Sequence, residues 1–237
     1  MKIIGLIGGM SWNSTLEYYR LINELTNARL GGLHSARILL YSLDFAVVER
    51  FQRASRWDEA TGILVRAGTA LKRAGADFLL ICTNTMHKVA DDVAERSQLP
   101  IIHIADVVGS VIKKYGLSRV GLLGTSFVMQ ESFYRDRLRK AFDIHVTVPK
   151  KMEQDTVHRV IYKELCLGKI EVASRQACLR IIEGLEECGA EGIILGCTEL
   201  QLLIQPDDIQ VPLFDTTRLH AEAAVDLAIS DEDYCNL

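Results

Sequence analysis

Several things are missing from this chain of 237 residues, and each absence removes a class of function. Basic charge is not in surplus: the formal net charge is −4 and the pI about 5.9, which argues against a nucleic-acid partner. No apolar segment approaches the ~18 residues of a membrane-spanning helix, so no membrane partner is expected. The opening Met1-Lys2-Ile3-Ile4 begins like a leader, but Gly5, Gly8 and Gly9 break its apolar run and no cleavage-type stretch follows. Six cysteines lie scattered at 82, 166, 178, 188, 197 and 235, with no CxxC pair and no Cys/His cluster at zinc spacing. Free thiols in a reducing cytoplasm are the expectation, with no metal. Gly5-x-x-Gly8-Gly9 lacks both the G-x-G-x-x-G spacing and a Walker lysine, so a nucleotide is not the expected ligand. A tight turn whose amides approach an anion, such as a carboxylate, is the simpler reading.

What is present is an ordinary globule's composition, 49% hydrophobic and 24% charged, and an internal duplication. Gly75-Ala76-Asp77-Phe78-Leu79-Leu80-Ile81-Cys82-Thr83-Asn84-Thr85 aligns without a gap on Gly189-Ala190-Glu191-Gly192-Ile193-Ile194-Leu195-Gly196-Cys197-Thr198-Glu199. Ile4–Ser11 likewise echoes Val120–Phe127, and Leu99–Ile102 echoes Val211–Phe214. The offsets are 116, 114 and 112 residues, so the order is kept with small deletions. Such a period means two similar lobes rather than a solenoid.

The pattern alternates strand and helix. Strands are expected at 2–7, 36–41, 77–82, 101–104, 118–123, 144–147, 192–196 and 211–214, and helices at 13–29, 57–74, 86–96 and 216–229. Unbroken apolar strands such as Phe78–Ile81 and Ile193–Leu195 fit sheets covered on both faces. The expected fold is therefore α/β, with two pseudo-symmetric lobes, each a parallel sheet flanked by helices. Residues 1–102 and 215–237 would form lobe one and 103–214 lobe two, the last helix crossing back onto the first lobe.

Ligands of parallel α/β sheets bind at the C-terminal ends of the strands, where the duplicated segments carry small polar residues. The alignment sets Thr83 opposite Cys197. Cys197 follows a strand and a glycine and leads into a helical turn, a setting expected to lower its pKa. Cys82, Cys166, Cys178 and Cys188 read better as small buried hydrophobes, and strand alternation turns Cys82 to the packing side. Thr83, Asn84, Thr85, Thr125 and Thr198 supply hydroxyl and amide groups suited to a small carboxylate, with Met10 lining the glycine turn. Asn84 and Thr85 are equally readable as helix caps. A second carboxylate on the ligand needs its own partner in Glu49-Arg50-Phe51-Gln52-Arg53: Gln52, or Arg50 or Arg53 unless these sit on a solvated loop. His87 and His103 either tune the site or are satisfied structural groups.

Taken together, Ile7-Gly8-Gly9-Met10-Ser11, Cys82-Thr83-Asn84-Thr85-Met86-His87, Gly121-Leu122-Leu123-Gly124-Thr125 and Gly196-Cys197-Thr198-Glu199-Leu200 resemble the aspartate/glutamate racemase family over essentially the whole chain. The resemblance implies an active site between the lobes, a homodimer, and cofactor-independent inversion of an amino acid by two opposed cysteines. This sequence departs from the pattern at one place. The family's first motif has the form Cys-Asn-Thr-x-His, and Thr83 stands where its cysteine would. Cys197 is then expected to deprotonate L-aspartate or L-glutamate, with Thr83 protonating the opposite face. A threonine hydroxyl is a poor acid beside a thiol, and a positioned acid or base is worth on the order of 10²–10⁴ in rate, so that half forfeits ~3–5 kcal/mol. Broad amino acid specificity, a single-cysteine decarboxylase or isomerase of small diacids, and a non-catalytic carboxylate-binding protein are the alternatives.

Overall fold

A computed structural model describes residues 1–230, so Cys235 and the end of the expected first lobe lie outside the described residues. The chain divides into two compact units, Met1–His103 with the chain from His220 onward, and Ile104–Leu219. The second division falls later than residue 215, inside the last helix.

The first unit carries β1 (Ile4–Gly8), α1 (Trp12–Leu30), β2 (Ile38–Ser42), α2 (Phe45–Arg53), α3 (Trp57–Arg73), β3 (Phe78–Ile81) and α4 (Ala90–Ser97). Its sheet has the order β2-β1-β3, with both pairings parallel. Side chains alternate along each strand. Ile7, Leu79 and Ile81 face Val48 of α2, Leu64 and Leu71 of α3, and Val93 of α4. Ile4, Leu6, Phe78, Leu80 and Cys82 face the opposite way, onto Tyr18 and Ile22 of α1 and onto Ala221, Ala224 and Val225 of the C-terminal helix α10 (Thr216–Ile229). Both faces are thus dry, which is why these strands lack polar alternation. Each fully buried Ile or Leu contributes ~1.5–3 kcal/mol.

The second unit repeats the plan. It holds α5 (Ile104–Lys114), β4 (Arg119–Gly124), α6 (Ser126–Gln130), α7 (Ser132–Phe142), β5 (His145–Thr147), α8 (Lys151–Lys163), α9 (Val172–Glu187), β6 (Ile193–Gly196) and β7 (Leu213–Asp215). The sheet order is β5-β4-β6-β7, again all parallel. Leu123, Ile193 and Leu195 face α8 and α9, whereas Val120, Leu122 and Ile194 face α5 and α7.

The local structure differs from expectation at 101–104 and at 86–96, and adds a helix at 45–53. Residues 101–104 do not form a strand: only a parallel bridge links Leu79 to Ile101, and Ile104 already begins α5. Pro100 has no N–H to give the ladder, and the chain turns helical before a second bridge can close. Residues 45–53, to which the sequence pattern assigned no element, are the helix α2. Asp44 caps it by accepting from the Ala46 N–H at 3.1 Å, and Val48 and Gln52 bury one face four residues apart. The expected helix 86–96 begins as a 3₁₀ segment, Thr85–Val89, and becomes α-helical only at Ala90.

Candidate functional site

In the first unit the glycine turn is closely packed. Gly9 has φ +85°, and a Cβ there would stand 2.1 Å from the Leu43 carbonyl oxygen. Its N–H is committed to Thr15 Oγ1 at 2.7 Å, so this one amide of the turn is spent within the fold. Met10 is buried with Ile7, Val48 and Met86 and contributes apolar packing beneath the turn.

Beyond β3 the chain leaves the sheet abruptly. The Cys82 N–H makes a bond to Ile7 O at 3.0 Å, and the Thr83 N–H turns back to Ile81 O at 2.8 Å. Cys82 is fully buried, and loss of water drives its thiol far above the ordinary range. Thr83 keeps part of its surface exposed, while Asn84 and Thr85 are buried at 4% and 5% exposure. Asn84 precedes the 3₁₀ segment without a side-chain cap, so the capping alternative does not describe it. Gln52 reaches this segment from α2: its Nε2 donates to Met86 Sδ at 3.0 Å, and its buried Oε1 has no partner among the described residues. The arginines of α2 are turned elsewhere. Arg53 pairs with Glu49 on an exposed helix face, and Arg50, also exposed, lies 5.7 Å from the Phe51 ring.

In the second unit, register Gly124↔Gly196 brings the ends of β4 and β6 together, and Thr125 and Cys197 follow directly on them. Thr125 caps α6, its Oγ1 accepting from the Val128 N–H at 3.4 Å. Cys197 donates to Glu199 Oε2 at 3.0 Å, and the Thr198 hydroxyl donates to the same oxygen at 2.8 Å. The other oxygen, Oε1, lies 3.8 Å from Cys166 Sγ. One carboxylate therefore gathers two thiols and a hydroxyl.

This overturns the expected electrostatics of Cys197. Its pKa is raised well above the usual thiol range, first by withdrawal from water, then by the Glu199 charge, and to a smaller degree by Cys166. The helical turn that would lower it amounts to a three-residue 3₁₀ segment, Leu200–Leu202, too short to carry a useful dipole. Cys166 is pushed up to about 12 by burial and by Glu199. Nor are all the remaining cysteines buried hydrophobes: Cys178 is, but Cys188 is exposed and Cys166 touches the site. The sequence reading missed Glu199, although the duplication sets it against Thr85, two residues beyond the cysteine. For Cys166 the sequence holds no signal, since 33 residues separate it from Glu199.

The architecture is thus that of an α/β protein with two parallel sheets, each ending in a polar turn, with a thiol held on a carboxylate at one of them. The comparison with known proteins narrows it. The Asp/Glu/Hydantoin racemase family model matches residues 7–224. A Yersinia pestis protein described as a candidate Asp/Glu racemase is 51% identical, covering 97% of this chain and 100% of that one with TM-score 0.91. An aspartate racemase homologue from Pyrococcus horikoshii is 37% identical, covering 96% and 99% with TM-score 0.85. The broad specificity amino-acid racemase RacX of Bacillus subtilis is 20% identical over 94% of this chain and 96% of its own length. The chain belongs to the Asp/Glu/hydantoin racemase family and is an isomerase of the amino acid racemase kind.

Proposed function

We propose that the chain racemises L-aspartate or L-glutamate without a cofactor. Cys197 removes the α-proton and Thr83, directly or through water, supplies a proton to the opposite face of the α-carbon; Thr83 then regains a proton from solvent, and Glu199 releases the one it took from the thiol. The observation that carries this reading is the Cys197–Glu199 bond at the end of β6 in a member of this family. A resting thiol on a carboxylate is a base held in reserve. Glu199 accepts the thiol proton when substrate displaces water, and the resulting thiolate takes the α-proton. Thr198, bonded to the same carboxylate oxygen, fixes its orientation.

Asn84, Thr85, Thr125 and Thr198 supply the polar groups for the α-carboxylate and ammonium. Gln52 Oε1, buried and unsatisfied among the described residues, suits an ammonium N–H, and Met10 supports the turn from below. A second reading is broad amino acid specificity, since Arg53 already pairs with Glu49 on the exposed face of α2. A homodimer is supported by the exposed apolar stripe Trp12, Leu16 and Tyr19 on α1, and a cytoplasmic location by the free thiols.

The test is incubation with L-aspartate, L-glutamate and a panel of neutral amino acids in D₂O without added cofactor. Proton NMR follows loss of the α-hydrogen, and chiral chromatography follows the D-isomer. Exchange and inversion confined to the acidic pair establish the first reading, whereas comparable rates across the panel establish the second. No exchange from any amino acid sinks both.

A further inference from the structure

Thr83 is gripped through its main chain. Its N–H bonds to Ile81 O, and its own carbonyl oxygen lies 2.8 Å from His87 Nδ1. A carbonyl only accepts, so Nδ1 carries the proton and donates. The cause is local. In the 3₁₀ segment the His87 amide N–H goes to Asn84 O, three residues back, at 3.1 Å. The Thr83 carbonyl therefore lacks the amide that an α-helix would offer it, and the imidazole N–H takes that place.

The His87 ring is itself held. It is 2% exposed and stands edge-on to two other imidazoles, His103 at 4.9 Å and His220 at 5.4 Å between centroids. His103 Nε2 lies 3.3 Å from the His87 carbonyl oxygen. His220 Nε2 lies 2.8 Å from Ile102 O and donates to it. Burial, helped by His87, pushes the His220 pKa down to about 3, so the ring is neutral and its Nδ1 accepts. The Tyr18 O–H donates to that Nδ1 at 2.8 Å. The proton direction at His87 and His220 is thus fixed by carbonyls, and the two nitrogens that meet them carry hydrogen rather than lone pairs for a metal.

We propose that His87 is the positioning residue of the Thr83 half of the site: its Nδ1–H fixes the Thr83 peptide, and the packed rings of His103 and His220 fix His87. All members belong to the first unit, whereas Cys197 is held by Glu199 in the second. The proposal rests on the roles given above to Thr83 and Cys197. It follows that loss of His87 impairs delivery of a proton by Thr83 and spares exchange at the Cys197 face, which needs only the thiol.

The experiment compares His87→Ala and His87→Asn with the wild-type chain in D₂O, reading α-exchange of the L-substrate and D-isomer formation in the same sample. In His87→Ala, D-isomer formation falls about tenfold or more while L-exchange stays within about twofold. In His87→Asn, whose side-chain amide can donate to the Thr83 carbonyl, most of the inversion returns. A parallel fall of both rates, or no fall in inversion, overturns the proposal. ¹⁵N spectra of the histidine rings give a readout free of activity: His87 appears as the Nδ1–H tautomer, and an Nε2–H tautomer overturns the proposal outright. Should both substitutions prevent folding, Tyr18→Phe loosens His220 alone, and an unchanged exchange-to-inversion ratio then counts against the array. Absence of any exchange by the wild-type chain overturns the racemase reading and this role together, and is recognised because it precedes any substitution.

Discussion

The two units share one plan, β2-β1-β3 against β5-β4-β6-β7, yet their corresponding strand ends are held by different chemistry. After β3 the main chain is fixed: His87 donates to the Thr83 carbonyl. After β6 the side chain is fixed: Glu199 accepts directly from the Cys197 thiol. A duplicated fold has thus kept its scaffold while its two strand ends are held differently. On the roles proposed above, the difference teaches that a weak acid needs a placed backbone, whereas a base in waiting needs a placed acceptor.

The most damaging way to break the comparison is Cys197→Ser. We expect α-exchange from the L-substrate to fall by on the order of 10²–10⁴ or more, measured by proton NMR in D₂O. Retained exchange would remove Cys197 from the mechanism. Thr83→Cys makes the two strand ends alike and is expected to speed inversion by about tenfold or more, since a thiol replaces a far weaker acid. Enantiomers have equal free energies, so kcat/KM for the two directions must rise together. A gain in one direction alone would signal a side reaction.

Glu199→Gln sharpens the comparison at the second unit. Removing the carboxylate charge lowers the Cys197 pKa, so the pH midpoint for iodoacetamide alkylation of Cys197 moves down. The acid limb of α-exchange moves up at the same time, because the thiol proton must now leave to solvent. Opposite movement of the two profiles distinguishes a proton acceptor from a group that only shapes the turn. If both stay still, Glu199 does neither.

A further effect concerns stability in the first unit. The folded-state pKa of His220 is depressed from 6.5 to about 3, so the unfolded chain takes up a proton that the folded chain refuses. Stability from this group is present in full above pH ~6.5 and is lost as pH falls toward 3, on the order of 4–5 kcal/mol as an upper bound. Urea titrations between pH 7 and pH 4 read this slope. His220→Gln, lacking the titrating ring, flattens it, and an equal slope in both chains would remove His220 as its source.

Much of this was legible in the chain. The duplication fixed the number of sheets and their parallel strands, because strands buried on both faces must be apolar throughout and leave an unmistakable run. It also singled out Thr83 and Cys197 as opposite numbers. Other features were hidden because they depend on groups distant in sequence or on competition for a hydrogen bond. The Gly8-Gly9 amides looked open until Thr15 claimed one of them. The helix at 45–53 went unassigned because its signal was a single capping aspartate and a short buried stripe. His87 and His103 looked isolated until His220 and Tyr18, far along the chain, closed around them.

The sequence by itself determined the α/β class, the two-lobed organisation, the family resemblance and the two residues at the duplicated strand ends, since periodicity and repetition are properties of order along the chain. Only the tertiary structure decided the protonation of those ends. A thiol's pKa and an imidazole's tautomer depend on which charges, carbonyls and apolar walls stand within a few ångströms, and it is folding that brings Cys166 to Glu199 and His220 to His87.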